Sequence, residues 1–184
     1  MRAVVVYESL FGNTRRIAEA VAAGIEDGDP GAVVELDPVS AARPEDVRTA
    51  DLLVVGGPTH MHGMTSAMSR RIGVKGEQKT AATAGTAVAV EPGVDGPGLR
   101  DWLPTLSAPD PGSRAAAFDT RAASRMAGGA AHGISRRLRR LGYELASPPE
   151  GFVIEDTQGP LREGELERAR QWAAALVRTT GVRT

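Results

Sequence analysis

Short runs of consecutive apolar residues alternate along this chain with stretches where apolar residues recur every three or four positions. Ala3-Val4-Val5-Val6 is the first such run, so residues 2–7 read as a strand. Ile17, Val21 and Ile25 then fall four apart, on one face of a helix over residues 13–26. Asp27-Gly28-Asp29-Pro30-Gly31 is dense in helix breakers and ends it. Residues 32–36 read as a second strand, 44–49 as a short turn of helix, and 51–55 as a third strand. The Leu52-Leu53-Val54-Val55 run hardly alternates, which is the pattern of a strand covered on both faces in a parallel sheet.

The periodicity fades over residues 73–98, which are rich in Ala, Thr and Gly and read as an insertion with a short strand at 86–90. It returns with Leu99, Trp102, Leu103 and Leu106, at helical spacing over 98–106. Residues 114–118 form a fourth strand and 119–129 a loop. Ala131, Ile134, Leu138 and Leu141 share one face of a helix at 130–141, which Gly142 closes. A fifth strand is split into 143–145 and 152–154 by Pro148-Pro149. Leu166, Ala169, Ala173, Leu176 and Val177 mark a last helix over 163–178. Strands and helices in βα alternation predict an open α/β sheet with helices on both faces. With 184 residues, no internal repeat and no long linker, residues 1–184 are expected to form a single domain.

Composition narrows the partners. There are 22 Lys and Arg against 23 Asp and Glu, so no net field favours nucleic acid or an anionic membrane. No apolar run approaches the roughly 20 residues of a membrane span. The N-terminus lacks a signal-peptide pattern, and the expected location is the cytoplasm. The absence of cysteine removes disulfides, thiolate metal sites and cysteine nucleophiles.

Candidate chemistry lies in the loops. In open α/β sheets ligands bind beyond the carboxyl ends of the strands, at the switch point in strand order. Ser9-Leu10-Phe11-Gly12-Asn13-Thr14 joins the first strand to the first helix. It offers two hydroxyls, a glycine that lets backbone come close, and the positive end of a helix dipole. It has no Gly-Lys-Ser/Thr ending and no Gly-x-Gly-x-x-Gly, so neither a Walker A loop nor a dinucleotide fingerprint is present. A phosphate held by hydroxyls and backbone without lysine points to flavin mononucleotide.

Tyr7-Glu8-Ser9-Leu10-Phe11-Gly12-Asn13-Thr14 resembles the phosphate loop of the flavodoxin family, whose pattern is hydroxyl-x-hydroxyl-Gly-x-Thr. Ser9, Gly12 and Thr14 match it, and Phe11 stands at the second hydroxyl position. Gly56-Gly57-Pro58-Thr59-His60 resembles the second flavin loop, and Asp119-Thr120-Arg121 stands where the third belongs. The resemblance implies a flavodoxin-like three-layer sandwich with a five-stranded parallel sheet of order 2-1-3-4-5. It implies that Ser9, Leu10, Phe11, Gly12, Asn13 and Thr14 cradle the FMN phosphate. Pro58, Thr59, His60, Met61, His62 and Gly63 would line one side of the isoalloxazine, and Asp119, Thr120 and Arg121 the other. The flavin then carries the redox chemistry, and no residue is required as catalytic acid or base.

The second and third loops hold no Trp or Tyr to stack on a flavin, and the net charge of -1 is unlike that of the acidic electron-transfer flavodoxins. The resemblance therefore leans toward the flavodoxin-like quinone and flavin reductases. FMN-dependent oxidoreductase activity, NAD(P)H or a redox protein as partner, and a homodimer go with it. The alternative is a flavodoxin fold that no longer binds flavin tightly and serves as a binding or regulatory module. A metal site built from His60, His62 and His132 has no neighbouring carboxylate, and none is expected. Arg136, Arg137, Arg139 and Arg140 occupy the polar face of an amphipathic helix, a solvated face in the plain reading. Arg121 has two readings, a partner for an anionic substrate or for Asp119.

Overall fold

The computed structural model describes residues 1–60, 63–85, 87–123, 129–156 and 159–180. The first apolar run forms β1 (Arg2–Tyr7), and the polar loop after it leads into α1 (Asn13–Gly28). β2 (Val33–Pro38) and α2 (Pro44–Arg48) follow. β3 (Leu52–His60) then continues through the glycines into a two-residue hairpin partner, β4 (Gly63–Met64). After α3 (Ala67–Thr83) come α4 (Leu99–Trp102) and a 3-10 turn (Leu103–Thr105). The chain ends with β5 (Arg114–Ala122), α5 (Ala130–Leu141), β6 (Glu144–Leu145), β7 (Glu150–Ile154) and α6 (Glu165–Thr180).

The main path of the sheet runs β2-β1-β3-β5-β6, all parallel, with β7 also pairing β5 and β4 pairing β3 antiparallel. This is the expected order, since β5 is the fourth long strand and β6 with β7 are the two halves of the split fifth. The total of seven exceeds the expected five because the fifth is broken and the β3 hairpin adds one.

Alternation within the central strands explains their unbroken apolar runs. Ala3, Val5, Leu52, Val54, Ala116 and Phe118 pack under α1 and α6 against Ile17, Val21, Ile25, Ala169 and Ala173. Val4, Val6, Leu53, Val55, Ala115 and Ala117 face the other way, against Leu99, Trp102, Leu103, Ile134 and Leu138. Both faces are buried, so every position is apolar. On the first face α1 and α6 approach closely: a Cβ on Gly24 would lie 2.1 Å from the Arg170 carbonyl oxygen.

Two expectations need correction. Residues 73–98, where only a short strand was expected, begin inside a helix, since α3 runs from Ala67 to Thr83. Its only buried residues are Arg70 and Ala81, so it has no apolar stripe for a periodicity argument to find. Of the strand expected at 86–90, residues 87–90 are not strand, and Thr86 lies outside the described residues. The third and fourth strands also reach four residues further than the apolar runs, or more, because neighbouring strands continue to pair with their polar ends.

Candidate functional site

After β1 the chain goes outward to β2, then returns to the opposite side of β1 as β3. The carboxyl ends of β1 and β3 therefore flank the switch point. A cleft opens there. Its walls are Leu10, Phe11, Asn13 and Thr14 from the first loop, Pro58 and Thr59 from β3, Thr120 and Ala122 from β5, and Ile154 from β7.

Local chemistry shapes the first loop. Gly12 takes φ +89°, a left-handed conformation that L side chains rarely adopt, and it starts α1 without any side-chain cap. First-turn N–H groups have no partner within the helix, which makes this terminus suited to an anion. Ser9 Oγ accepts from the Gly12 N–H at 3.1 Å and fixes the turn. Thr14 Oγ1 lies 2.8 Å from Thr120 Oγ1, joining the first loop to the end of β5 through two buried hydroxyls. Gly159 closes over the loop: with φ +99°, a Cβ there would sit 2.7 Å from Asn13 Nδ2.

Glu8, the last residue before the loop, is buried and paired. Its Oε2 accepts from the Leu99 N–H at 2.7 Å, and its Oε1 accepts from Thr65 Oγ1 and lies 3.5 Å from Arg70 Nη1. Arg70, 3% exposed, in turn donates to the carbonyls of Val94 and Gly96. This cluster fastens α3 and the segment after it to the floor beside the loop.

The structure brings Leu10, Phe11, Asn13, Thr14, Pro58, Thr59 and Thr120 together at the cleft. Asp119 and Arg121 are placed elsewhere. Asp119 is fully buried beside α5; its Oδ2 accepts from the Ala131 N–H at 2.9 Å, and Arg121 Nε lies 3.6 Å from its Oδ1. Burial pushes the Asp119 carboxyl above its ordinary value, against the pull of the Ala131 N–H and the Arg121 charge. Arg121 also covers Gly151, where a Cβ would fall 2.3 Å from its Nη2. The pairing of Arg121 with Asp119, one of its two readings, is present. Thr59 Oγ1 accepts from the Ala130 N–H at 2.9 Å and so holds the start of α5. Gly63 pairs with His60 across the β3–β4 hairpin, while the His60 side chain, Met61 and His62 lie outside the described residues. Sequence reasoning missed Ala122 and Ile154. The signal was alternation: with Thr120 at the cleft, the residue two further along β5 shares its face, and Ile154 is its partner on β7.

Among the described residues no group of three or more His, Cys, Asp or Glu is placed to hold a metal ion. Among them no helix is long and apolar enough to cross a membrane. Fold and cleft together define an open α/β protein with a glycine-containing strand-to-helix loop at its topological switch point.

Comparison with known proteins places that class more closely. Residues 4–88 match the family model described as Flavodoxin domain. A flavodoxin of Aquifex aeolicus is 41% identical over 70 residues, covering 38% of this chain and 37% of that protein. An NAD(P)H dehydrogenase (quinone) of Archaeoglobus fulgidus is 31% identical over 98 residues, covering 41% of this chain and 51% of that one. An anaerobic nitric oxide reductase flavorubredoxin of Escherichia coli is 28% identical over 185 residues, all of this chain but 33% of that protein. The matches thus span between a third and about half of these relatives' lengths. In fold, the chain superposes on oxidised flavodoxin 1 from Bacillus cereus with TM-score 0.65 at 15% identity, covering 97% of this chain and 98% of that one. The chain thus resembles flavodoxins in sequence over residues 4–88 and shares their fold over nearly its whole length.

Proposed function

We propose that this chain binds FMN in the switch-point cleft and works in redox chemistry, as a reductase of a small acceptor such as a quinone or as an electron carrier. The observation that carries the reading is the meeting of Thr14 and Thr120 hydroxyls with the left-handed Gly12 at the uncapped start of α1. The residues present fit the group. Gly12 gives the loop its left-handed turn, and hydroxyl and backbone groups suit a phosphate where no lysine stands. Phe11 supplies an aromatic face to the cleft, in place of the hydroxyl of the family pattern. Ser9, Leu10, Gly12 and Asn13 would complete the cradle, and Pro58, Thr59 and Thr120 would border the ring. Bound there, FMN would supply the electron chemistry, while the chain sets its position and access. The quinone-reductase relative favours NAD(P)H as electron donor.

A fluorescence-quenching titration tests the reading. Wild-type protein quenches FMN on binding. Thr14→Ala should lose about 1.5–3 kcal/mol of FMN affinity, the range for a hydrogen bond to a charged group. Phe11→Ala should weaken FMN and riboflavin alike, by about 1 kcal/mol of lost stacking. No quenching at high micromolar FMN would instead leave a flavodoxin fold acting as a binding or regulatory module.

A further inference from the structure

One ion pair rests against the phosphate-type loop. Arg15 lies in the first turn of α1, and its Nε sits 3.2 Å from both carboxylate oxygens of Glu91. Its Nη1 donates to Glu19 at 2.7 Å, one turn along the helix. Glu91 comes from the segment after α3 and is tied to the loop by its own backbone, its N–H donating to the Leu10 carbonyl at 3.0 Å. A Cβ built on Gly12 would lie 3.1 Å from Glu91 Oε1 and 3.8 Å from Arg15 Nη2. Cation and carboxylate therefore both stand over the left-handed glycine, at the positive end of α1. The pair borders a cavity of about 270 Å³ that shares Leu10 with the cleft.

We propose that Arg15 is the counter-charge for the phosphate held by the loop, and that Glu91 is a resident carboxylate that occupies Arg15 and lowers the loop's affinity for dianions. The ligand named here rests on the FMN reading; the electrostatics do not. Two carboxylates, Glu19 and Glu91, face one guanidinium, so the trio carries a net charge of -1 beside the anion site. An arriving phosphomonoester meets that charge and competes with Glu91 for Arg15. A neutral flavin without phosphate meets neither effect. Discrimination between phosphorylated and unphosphorylated flavin is therefore set by a residue of the segment that the apolar pattern left unassigned. A unit charge within about 6 Å of a dianion in well-solvated surroundings changes affinity by about tenfold.

The test compares FMN with riboflavin by quenching titration at low ionic strength. Glu91→Gln should tighten FMN about tenfold and leave riboflavin unchanged. Arg15→Gln should weaken FMN about tenfold, again with riboflavin unchanged, and Arg15→Lys should recover most of the loss. All three differences should shrink as salt rises. FMN and riboflavin shifting together would mean that the pair only shapes the loop, and would overturn the proposal. So would an FMN affinity indifferent to both Gln substitutions. If the wild-type protein binds neither flavin, the FMN reading fails, and inorganic phosphate replaces the flavins in a thermal-shift titration. Stronger stabilisation of Glu91→Gln than of wild type, absent in Arg15→Gln, then supports the role of the pair; equal stabilisation of all three overturns it.

Discussion

Asp119 shows what one residue's position can hide. From sequence it belongs to a polar Asp-Thr-Arg loop after a strand, where a flavin contact is the natural expectation. The strand in fact runs on to Ala122, and pleating sends Thr120 to the cleft while Asp119 turns to the start of α5. The apolar run stops at Phe118, so nothing in hydrophobicity marks the extra residues; only pairing with Pro58 and with β7 extends the strand. The place of Ser9, Gly12 and Thr14 between β1 and α1 was legible for the opposite reason, because a strand-to-helix loop is a local feature. Burial raises the Asp119 carboxyl, whose facing charges are Arg121 and His132. The folded protein then holds that proton more tightly than the unfolded chain. The contribution to stability is full below the unfolded value and is lost as pH climbs through the folded one. Asp119→Asn cannot ionise, so its stability relative to wild type should rise from acid toward neutral pH in urea denaturation. A difference constant with pH would contradict this.

At the scale of elements, α3 is the piece whose placement depends on charge rather than on an apolar face. Arg70 is its anchor, 3% exposed, reaching Glu8, Val94 and Gly96 at once. A helix that buries an arginine carries no stripe of leucines, and for that reason the segment looked like an insertion. α1, α5 and α6 were readable because each buries a periodic apolar face on the sheet. Removing the anchor leaves Glu8 as a buried carboxylate without its cation. Arg70→Met should cost about 3–5 kcal/mol in chemical denaturation. Adding Glu8→Gln should recover part of that, since it removes the stranded charge. In the single variant, hydrogen exchange at the Leu99 amide, which donates to Glu8, should speed up; unchanged protection would mean that α3 is held by something else.

For the molecule as a whole, the sheet divides the core into two halves, and each half has one tryptophan. Trp102 is buried on the α5 side, its Nε1 donating to the Ala42 carbonyl at 2.9 Å. Trp172 packs on the α1 side, in edge contact with Phe118 and Phe152 at 6.3 and 6.0 Å between ring centres. The helical spacing of Leu99, Trp102, Leu103 and Leu106 marked Trp102 as one of a packing face, and it is buried there. Because the central strands serve both halves with alternate side chains, neither half can melt alone without opening the other. Trp102→Phe and Trp172→Phe variants each keep one reporter. In each variant, fluorescence and far-UV dichroism should give the same denaturant midpoint. Separate midpoints would show that the two half-cores unfold independently.

The ties around Glu8 have a consequence for synthesis. Synthesis runs from the N-terminal side, so β1 and Glu8 emerge before the groups that tie Glu8 down. Arg70 follows long after, and the Leu99 amide lies 91 residues downstream of Glu8. Until then the carboxylate has no place to be dehydrated, and it keeps the end of β1 wet. The nascent chain can gather α1 against its first strands, but the loop after β1 cannot settle on its floor before Leu99 has been made.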